Sequence, residues 1–490
     1  MSGRTDTAPG TGGRLAGLGR PYRRYVAVDG GRGAHLLAEL ADLDPHLQPA
    51  PSPRHAQLLL VVEPISSQLA PAVAEVARAL PRPARALILA EPNHGLPGVN
   101  VVPAEEILPG ARRVEATSAR DVLAATMDRA DWPELAVADI PPPDEKEIPV
   151  PDPRKLELAT EPAVLSLGPI QPFTAGPLRL LLIADGGQLL SARVEAGYAH
   201  RGVAEAMVHA DWGQAGQIAR HLDPLAPLAG LVAYVRALEG LQGRPSPERV
   251  EPVREAALAL ERSQNHLWWL TRFLDVLGSD RLVPTARRLA TALAGESAML
   301  WEQPPTEWIV PQGGAAPFRA SAVAELRRLT PEVAGLRDRV LGDRLLGLRT
   351  RGIDVLAAER MQAAGVTGPA LQASEHGAGD IAARLAARME EAMDGLSAVA
   401  DLAGRPAEGG ESLPQWTAPP GSAQVVVEGP RGQIALGLVS DGGDGPAAVS
   451  WRRPSMALLA LVPELLAGQK LGDAEASVVS LDLAMAEADG

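Results

Sequence analysis

Acid–base side chains gather at a few places along the chain where their spacing could support proton chemistry. His200 and Arg201 stand in Gly197-Tyr198-Ala199-His200-Arg201-Gly202, between a predicted hairpin and a run of predicted helices. His221 lies two residues before Asp223. His266 and Asp275 share one predicted helix, where nine residues make about 2.5 turns and aim the two at different faces. Imidazole and carboxylate groups can take up and release protons. The same groups can equally be buried partners that hold helices and loops together. His221 and Asp223 read as a packed or solvated pair, and Trp268-Trp269 as core and interface packing.

Other chemistries are excluded. The 490 residues contain no cysteine, which removes disulfides, thiolate zinc sites, cysteine nucleophiles and cysteine-ligated iron–sulfur clusters. There is no Gly-x-Ser-x-Gly elbow, and no Gly-x-Gly-x-x-Gly placed after a strand. A net charge of −14 argues against binding a phosphate backbone. No apolar run approaches the roughly 18–20 residues of a membrane-spanning helix. The first 24 residues lack the apolar core of a signal peptide, so a soluble, cytoplasmic chain is expected.

These side chains need a scaffold, and hydropathy patterning outlines one. Hydrophobic residues are 46% and charged ones 22%, an ordinary globular balance. Residues 1–24 read as a flexible tail. From Tyr25 to about residue 139, strands such as YVAVD, QLLLVV and ARALILA alternate with helices such as HLLAELADL and LAPAVAEVARAL. Strands alternating with helices predict an α/β domain, a parallel sheet with helices on both faces. The last segment, RVEATSARDVLAATMD, reads as helix throughout. Residues 140–155, IPPPDEKEIPVPDPRK, form a proline-rich linker. Beyond it, residues 156–490 predict a mainly helical α+β domain. It opens on a hairpin around Asp185-Gly186-Gly187, continues through amphipathic helices, and ends in strands and a final helix, SMALLALVPELLAG.

Four motifs occur in order across the second domain: Gly168-Pro169-Ile170-Gln171-Pro172-Phe173-Thr174-Ala175-Gly176, the His200 motif, Leu260-Glu261-Arg262-Ser263-Gln264-Asn265-His266-Leu267, and Leu438-Val439-Ser440-Asp441-Gly442-Gly443. With Trp451-Arg452-Arg453-Pro454-Ser455 and Ser480-Leu481-Asp482, they make this domain resemble the D subunit of respiratory complex I, the NADH–quinone oxidoreductase, and its relative, the large subunit of nickel–iron hydrogenases. The first domain resembles the B subunit of the same complex, or the hydrogenase small subunit. That likeness rests on HAQLLLVVEPISSQLAPAVAEVARALPRP, on Val28-Asp29-Gly30-Gly31 followed by Glu39, and on Leu108-Pro109-Gly110. The resemblance implies a fusion of the B and D subunits.

It also shows what is missing. Positions that would ligate the cluster of the B subunit carry Gly33, Leu36, Pro92 and Ala111, none with a donor side chain. The two cysteine pairs of a nickel–iron centre correspond to Asp223, Ala226, Ala484 and Glu487. The histidine and tyrosine that donate protons to quinone in the family are matched by Ala175 and Pro224, and Gln171 replaces a further histidine. What remains as a residual polar cavity is His200, Arg201, Asp223, His266, Asp275 and Arg452. No metal and no cofactor is expected. The implied role is a redox-inactive structural or coupling component of a complex I-like assembly, peripheral on the cytoplasmic face of the bacterial plasma membrane and docked on ion-translocating, antiporter-like membrane subunits. The alternative is an active quinone-binding oxidoreductase component that receives electrons from a neighbouring protein.

Overall fold

The computed structural model describes residues 23–31, 33–43, 47–50, 52–90, 101–116, 118–127, 132–133, 135–140, 162–248, 250–301, 304–313, 319–402 and 415–490. The expected tail up to Pro21 and Tyr22, the linker beyond Ile140, and Pro92 lie outside these residues.

The strands of the first region are β1 (Arg23–Asp29), β2 (Leu47–Pro49), β3 (Leu58–Val62), β4 (Ile65–Ser66), β5 (Arg85–Ala90), β6 (Val101–Val102) and β7 (Arg112–Glu115). All five residues of β3 are buried. Leu58, Leu60 and Val62 point into one apolar cluster, and Leu59 and Val61 into another, as the two-residue period of a strand requires. A strand apolar on both faces must sit inside a sheet covered on both sides. It does: the order is β2-β1-β3-β5-β7, all pairs parallel. Helix Ala70–Ala79 covers one face, and helices Ala34–Leu43 and Ala119–Met127 contribute to the cluster on the other.

One expectation fails here. RVEATSARDVLAATMD is not helical throughout. Arg112–Glu115 forms edge strand β7, whose residues alternate between half-buried and exposed. The helix starts after Ser118, where Ser118 and Asp121 exchange side-chain and backbone hydrogen bonds.

The second region opens on an antiparallel sheet of β8 (Ala163–Leu167), β9 (Arg179–Asp185) and β10 (Gln188–Glu195). Gly186 and Gly187 turn the β9–β10 hairpin with φ of 56° and 88°, values that favour glycine. A helical body follows. Helix Glu251–Val276 runs through its centre and packs against helices Val283–Leu300 and Ile381–Leu402. Its middle is buried from Ala256 to Leu260 and again from Asn265 to Thr271, so it meets neighbours on all sides.

A second antiparallel sheet, β11 (Gly421–Gly429), β12 (Gly432–Ser440) and β13 (Ala448–Arg452), returns the chain to this body. Helix Pro454–Leu466 does not end the fold. Helices Ala474–Ser480 and Met485–Asp489 follow, and nearly every residue from Ala476 to Ala488 is buried. Trp269 anchors this stretch by donating its indole N–H to the carbonyl of Val479 at 2.7 Å.

Candidate functional site

The polar centre of the second region forms around Arg431, in the turn between β11 and β12. Gly429 pairs with Gly432 across that turn, which delivers the guanidinium into the protein interior. It donates to Asp223 Oδ2 at 2.7 Å and to Asn265 Oδ1 at 3.3 Å, and its Nε lies 3.8 Å from Asp482 Oδ2. Asp482 has φ of 57° and holds Arg272 with its other oxygen at 2.8 Å. Burial works against the Arg431 charge, yet Asp223, Asp482 and Glu487 outweigh it and hold the guanidinium firmly protonated. Arg388 stacks over the Trp269 ring at 4.6 Å and donates to Leu481 O at 3.0 Å. Arg384 bonds Asp354 at 3.1 Å, both fully buried.

Two carboxyl groups flank this cluster with pKa values raised by burial. Glu487 accepts from the Ser455 hydroxyl; burial, with Asp223 adding to it against the pull of Arg431, pushes its pKa up to about 7. Glu261 accepts from the N–H groups of Leu228 and Ala229 at 2.9 and 3.2 Å, at the start of helix Pro227–Leu241. Ala226, at that helix's N-cap, has no side chain to cap it, so Glu261 supplies the acceptors from the neighbouring helix. Burial, reinforced by Asp223, raises Glu261 to about 8 despite those two hydrogen bonds.

Two hollows adjoin the cluster. A cleft of about 300 Å³ lies between the parallel sheet, at Tyr25 and Asp29, and the second region, at Gln171, Trp268, Arg272 and Asp275. A second cavity, of about 310 Å³, is mostly apolar; Pro224, Leu225, Trp301 and Glu261 line it.

The expected polar residues are only partly brought together. Asp223 is in the centre, with Arg431. Arg201 is buried close by and donates to Leu222 O and Ala486 O at 3.2 and 3.0 Å. His200 reaches the Asp489 carbonyl at 2.8 Å through Nδ1. His266 is fully buried but faces Glu391 at 2.8 Å, on the side of helix Ile381–Leu402. Asp275 is exposed and lines the cleft. Arg452 stands apart: it is exposed on β13 and donates to Gly365 O at 2.9 Å, because its register on an outer strand turns it away from the core. Arg431 was not expected. A Gly-Pro-Arg-Gly turn reads as a solvent-exposed loop, and only the glycines on both sides hint at a close approach.

The chain's relatives fit this architecture. A family described as the 49 Kd subunit of respiratory-chain NADH dehydrogenase matches residues 411–490. The D subunit of NADH-quinone oxidoreductase from Geobacillus thermodenitrificans is 27% identical over 376 residues, which is 68% of this chain and all of that protein. A D subunit of the same enzyme from Koribacter versatilis, the one numbered 2, is 28% identical over 393 residues, covering 66% of this chain and 95% of its own length. The second region is thus similar to D subunits of this enzyme over nearly their whole length. The fold agrees with a chain from the membrane-bound sulfane sulfur reductase, an archaeal respiratory membrane complex: TM-score 0.60 at 22% identity, over 68% of this chain and all of the other.

Three of the positions expected to ligate a cluster, Gly33, Leu36 and Ala111, are among the described residues. Gly33 is buried, and a Cβ placed on it would lie 2.7 Å from Val62 Cγ2. A Cβ on Gly31 would lie 3.0 Å from Ala486 Cβ, and one on Gly176 would lie 3.3 Å from Gly31 Cα. Leu36 packs beside the apolar cluster on one face of the sheet, and Ala111 beside the cluster on the other. The sequence offers no thiolate to ligate a cluster here. Of the two positions expected to match quinone proton donors, Ala175 packs with Leu225 and Ala484, and Pro224 lines the apolar cavity.

Proposed function

We propose that the protein is a redox-inactive structural or coupling component of a complex I-like membrane assembly. In this reading the parallel-sheet domain stands in for the B subunit, fused ahead of the D-subunit-like domain across residues 140–155. The observation that carries it is the closed contact of Gly31 with Gly176 and Ala486, in a chain without cysteine. The sequence supplies no thiolate donor, and Gly33, Leu36 and Ala111, where the resemblance would put ligands, carry none. Among the described residues no helix is long and apolar enough to cross a membrane. Attachment to the cytoplasmic face therefore goes through partner proteins, and ion-translocating, antiporter-like ones are the partners that the family likeness favours.

The test has two parts. Anaerobically purified protein should contain no stoichiometric iron or nickel and no cluster absorbance. Tagged protein co-expressed with its neighbouring genes should sediment with membranes. Near-stoichiometric iron would overturn the redox-inactive role, and a soluble, monomeric protein in its own host would overturn the assembly. The cleft at Gln171 and Trp268 favours a second reading, in which a quinone still binds and a neighbouring protein brings electrons. Quinone-dependent turnover by the purified chain with a common electron donor would establish that alternative.

A further inference from the structure

The two hollows lie at opposite ends of one buried series of charges. Glu261 lines the apolar cavity and is half-buried, so protons reach it from solvent. Asp223 adjoins it: Leu225, which also lines the cavity, donates its N–H to Asp223 Oδ1 at 3.0 Å. Asp223 holds Arg431 at 2.7 Å, Arg431 faces Asp482 at 3.8 Å, and Asp482 holds Arg272 at 2.8 Å. Arg272 lines the interdomain cleft with Asp29 and Asp275. We propose that Glu261 is a proton-binding site whose charge state is relayed through Asp223, Arg431, Asp482 and Arg272 to the cleft between the two domains.

The relay turns on the unequal sharing of one guanidinium. Arg431 sits tightly on Asp223 and loosely on Asp482. An ionised Glu261 adds a second negative charge beside Asp223 and draws Arg431 towards that side, which leaves Asp482 to bind Arg272. When Glu261 takes a proton, that pull weakens and Arg431 moves towards Asp482. Asp482 then holds Arg272 less tightly, and Arg272 turns to the carboxylates of the cleft. Buried charges interact far more strongly than exposed ones, so a proton at one end is felt at the other.

The charged groups around Glu261 are few, and Glu487, pushed up to about 7 beside Arg431, is present in wild type and Glu261→Gln alike and cancels between them. Asp223 faces Glu261 from the loop before helix Pro227–Leu241, and Arg262 follows it on its own helix. That helix start presents only the N–H groups of Leu228 and Ala229, and helix Val283–Leu300 presents Ala294, Ser297 and Ala298, which carry no charge. Around Arg431 the charges are Asp223, Asp482 and Glu487, with Arg272 and Arg388 beyond Asp482. Burial places the Glu261 transition near pH 8.

This deepens the coupling role proposed above and rests on it. Hydrogen exchange of the full-length isolated chain tests it, comparing wild type with Glu261→Gln at each pH so that intrinsic exchange cancels. Peptides covering residues 169–177 and 268–275 should differ between the two proteins by about fivefold or more at pH 9 and converge at pH 6. Asp482→Asn should keep the difference at residues 224–229 and lose it at the cleft. Should Asp482→Asn fail to fold, Arg272→Gln cuts the same series at its cleft end. Equal cleft exchange in wild type and Glu261→Gln at every pH overturns the relay. So does a cleft response that survives the cut. Iron content and membrane sedimentation decide the coupling role separately, because neither enters this measurement.

Discussion

Replacing Arg431 by methionine removes the one cation that Asp223 holds at 2.7 Å, with both side chains at most 1% exposed. Methionine fills much of the same volume, so the loss is electrostatic. Asp223 keeps the N–H of Leu225 but is left a buried charge without a counter-ion, and Asp482 keeps only Arg272. Breaking a buried pair from one side costs about 3–5 kcal/mol. Asp223→Asn should cost less, about 1.5–3 kcal/mol. It leaves Arg431 with Asp482 at 3.8 Å and with Glu487 nearby. The double variant should fall short of the sum by roughly 1–3 kcal/mol, because the stranded carboxylate is then gone. Urea unfolding followed by tryptophan fluorescence reads these differences in the correct domain, since seven of the eight tryptophans follow residue 160. A loss below about 1 kcal/mol for Arg431→Met, or strict additivity, would refute the argument that this pair organises the interior.

Three further outcomes follow from the same structure. Glu261 is raised from 4.5 to about 8, so its contribution to stability is complete below pH 4.5 and is lost as pH rises through about 8. Glu261→Gln should therefore gain on wild type above that pH, by up to roughly 5 kcal/mol; parallel stability–pH profiles between pH 5 and 9 would show the shift to be absent. A Cβ on Gly30 would lie 1.9 Å from the Pro64 carbonyl oxygen, so Gly30→Ala should destabilise the sheet domain by about 1–3 kcal/mol, read as faster proteolysis there. Trp269→Phe loses the bond to Val479 O and part of the Arg388 stack, which should cost about 1–2 kcal/mol in the unfolding midpoint.

Periodicity made much of the scaffold legible. Leu58–Val62 is continuously apolar and too short for a helix, and it became the central strand of a parallel sheet. Where local signals competed, the reading slipped. Arg112–Glu115 has the weak alternation of an edge strand, and its neighbour β5 rather than its own sequence makes it one. The polar centre was legible where a residue sat in a recognisable motif, as Arg201 does, or beside helices, as Asp223 does. Arg431 and Arg452 exchange the places their sequence suggests, the turn residue buried and the strand residue exposed. Register against distant elements decides that: Gly368 and Gly432 let the turn dock, with a Cβ on Gly368 only 2.6 Å from Gly432 Cα. No local pattern encodes such a meeting.

The stretch from Leu483 to Asp489 has a consequence for the timing of synthesis. Met485 donates its N–H to Ala175 O at 2.8 Å, and the Asp489 carboxylate takes the N–H groups of Gly197 and Ala199, each at 2.8 Å. Ala486 meets Gly31 of the sheet domain. This keystone is thus translated some 290 residues after the hairpin region it braces. At about 5–20 residues per second the earlier parts wait roughly 15–60 s on the ribosome with this seam open. The seam cannot close until residues 483–489 are made. Chains stalled just before residue 480 should therefore be cleaved readily near Gly197, and full-length chains should resist.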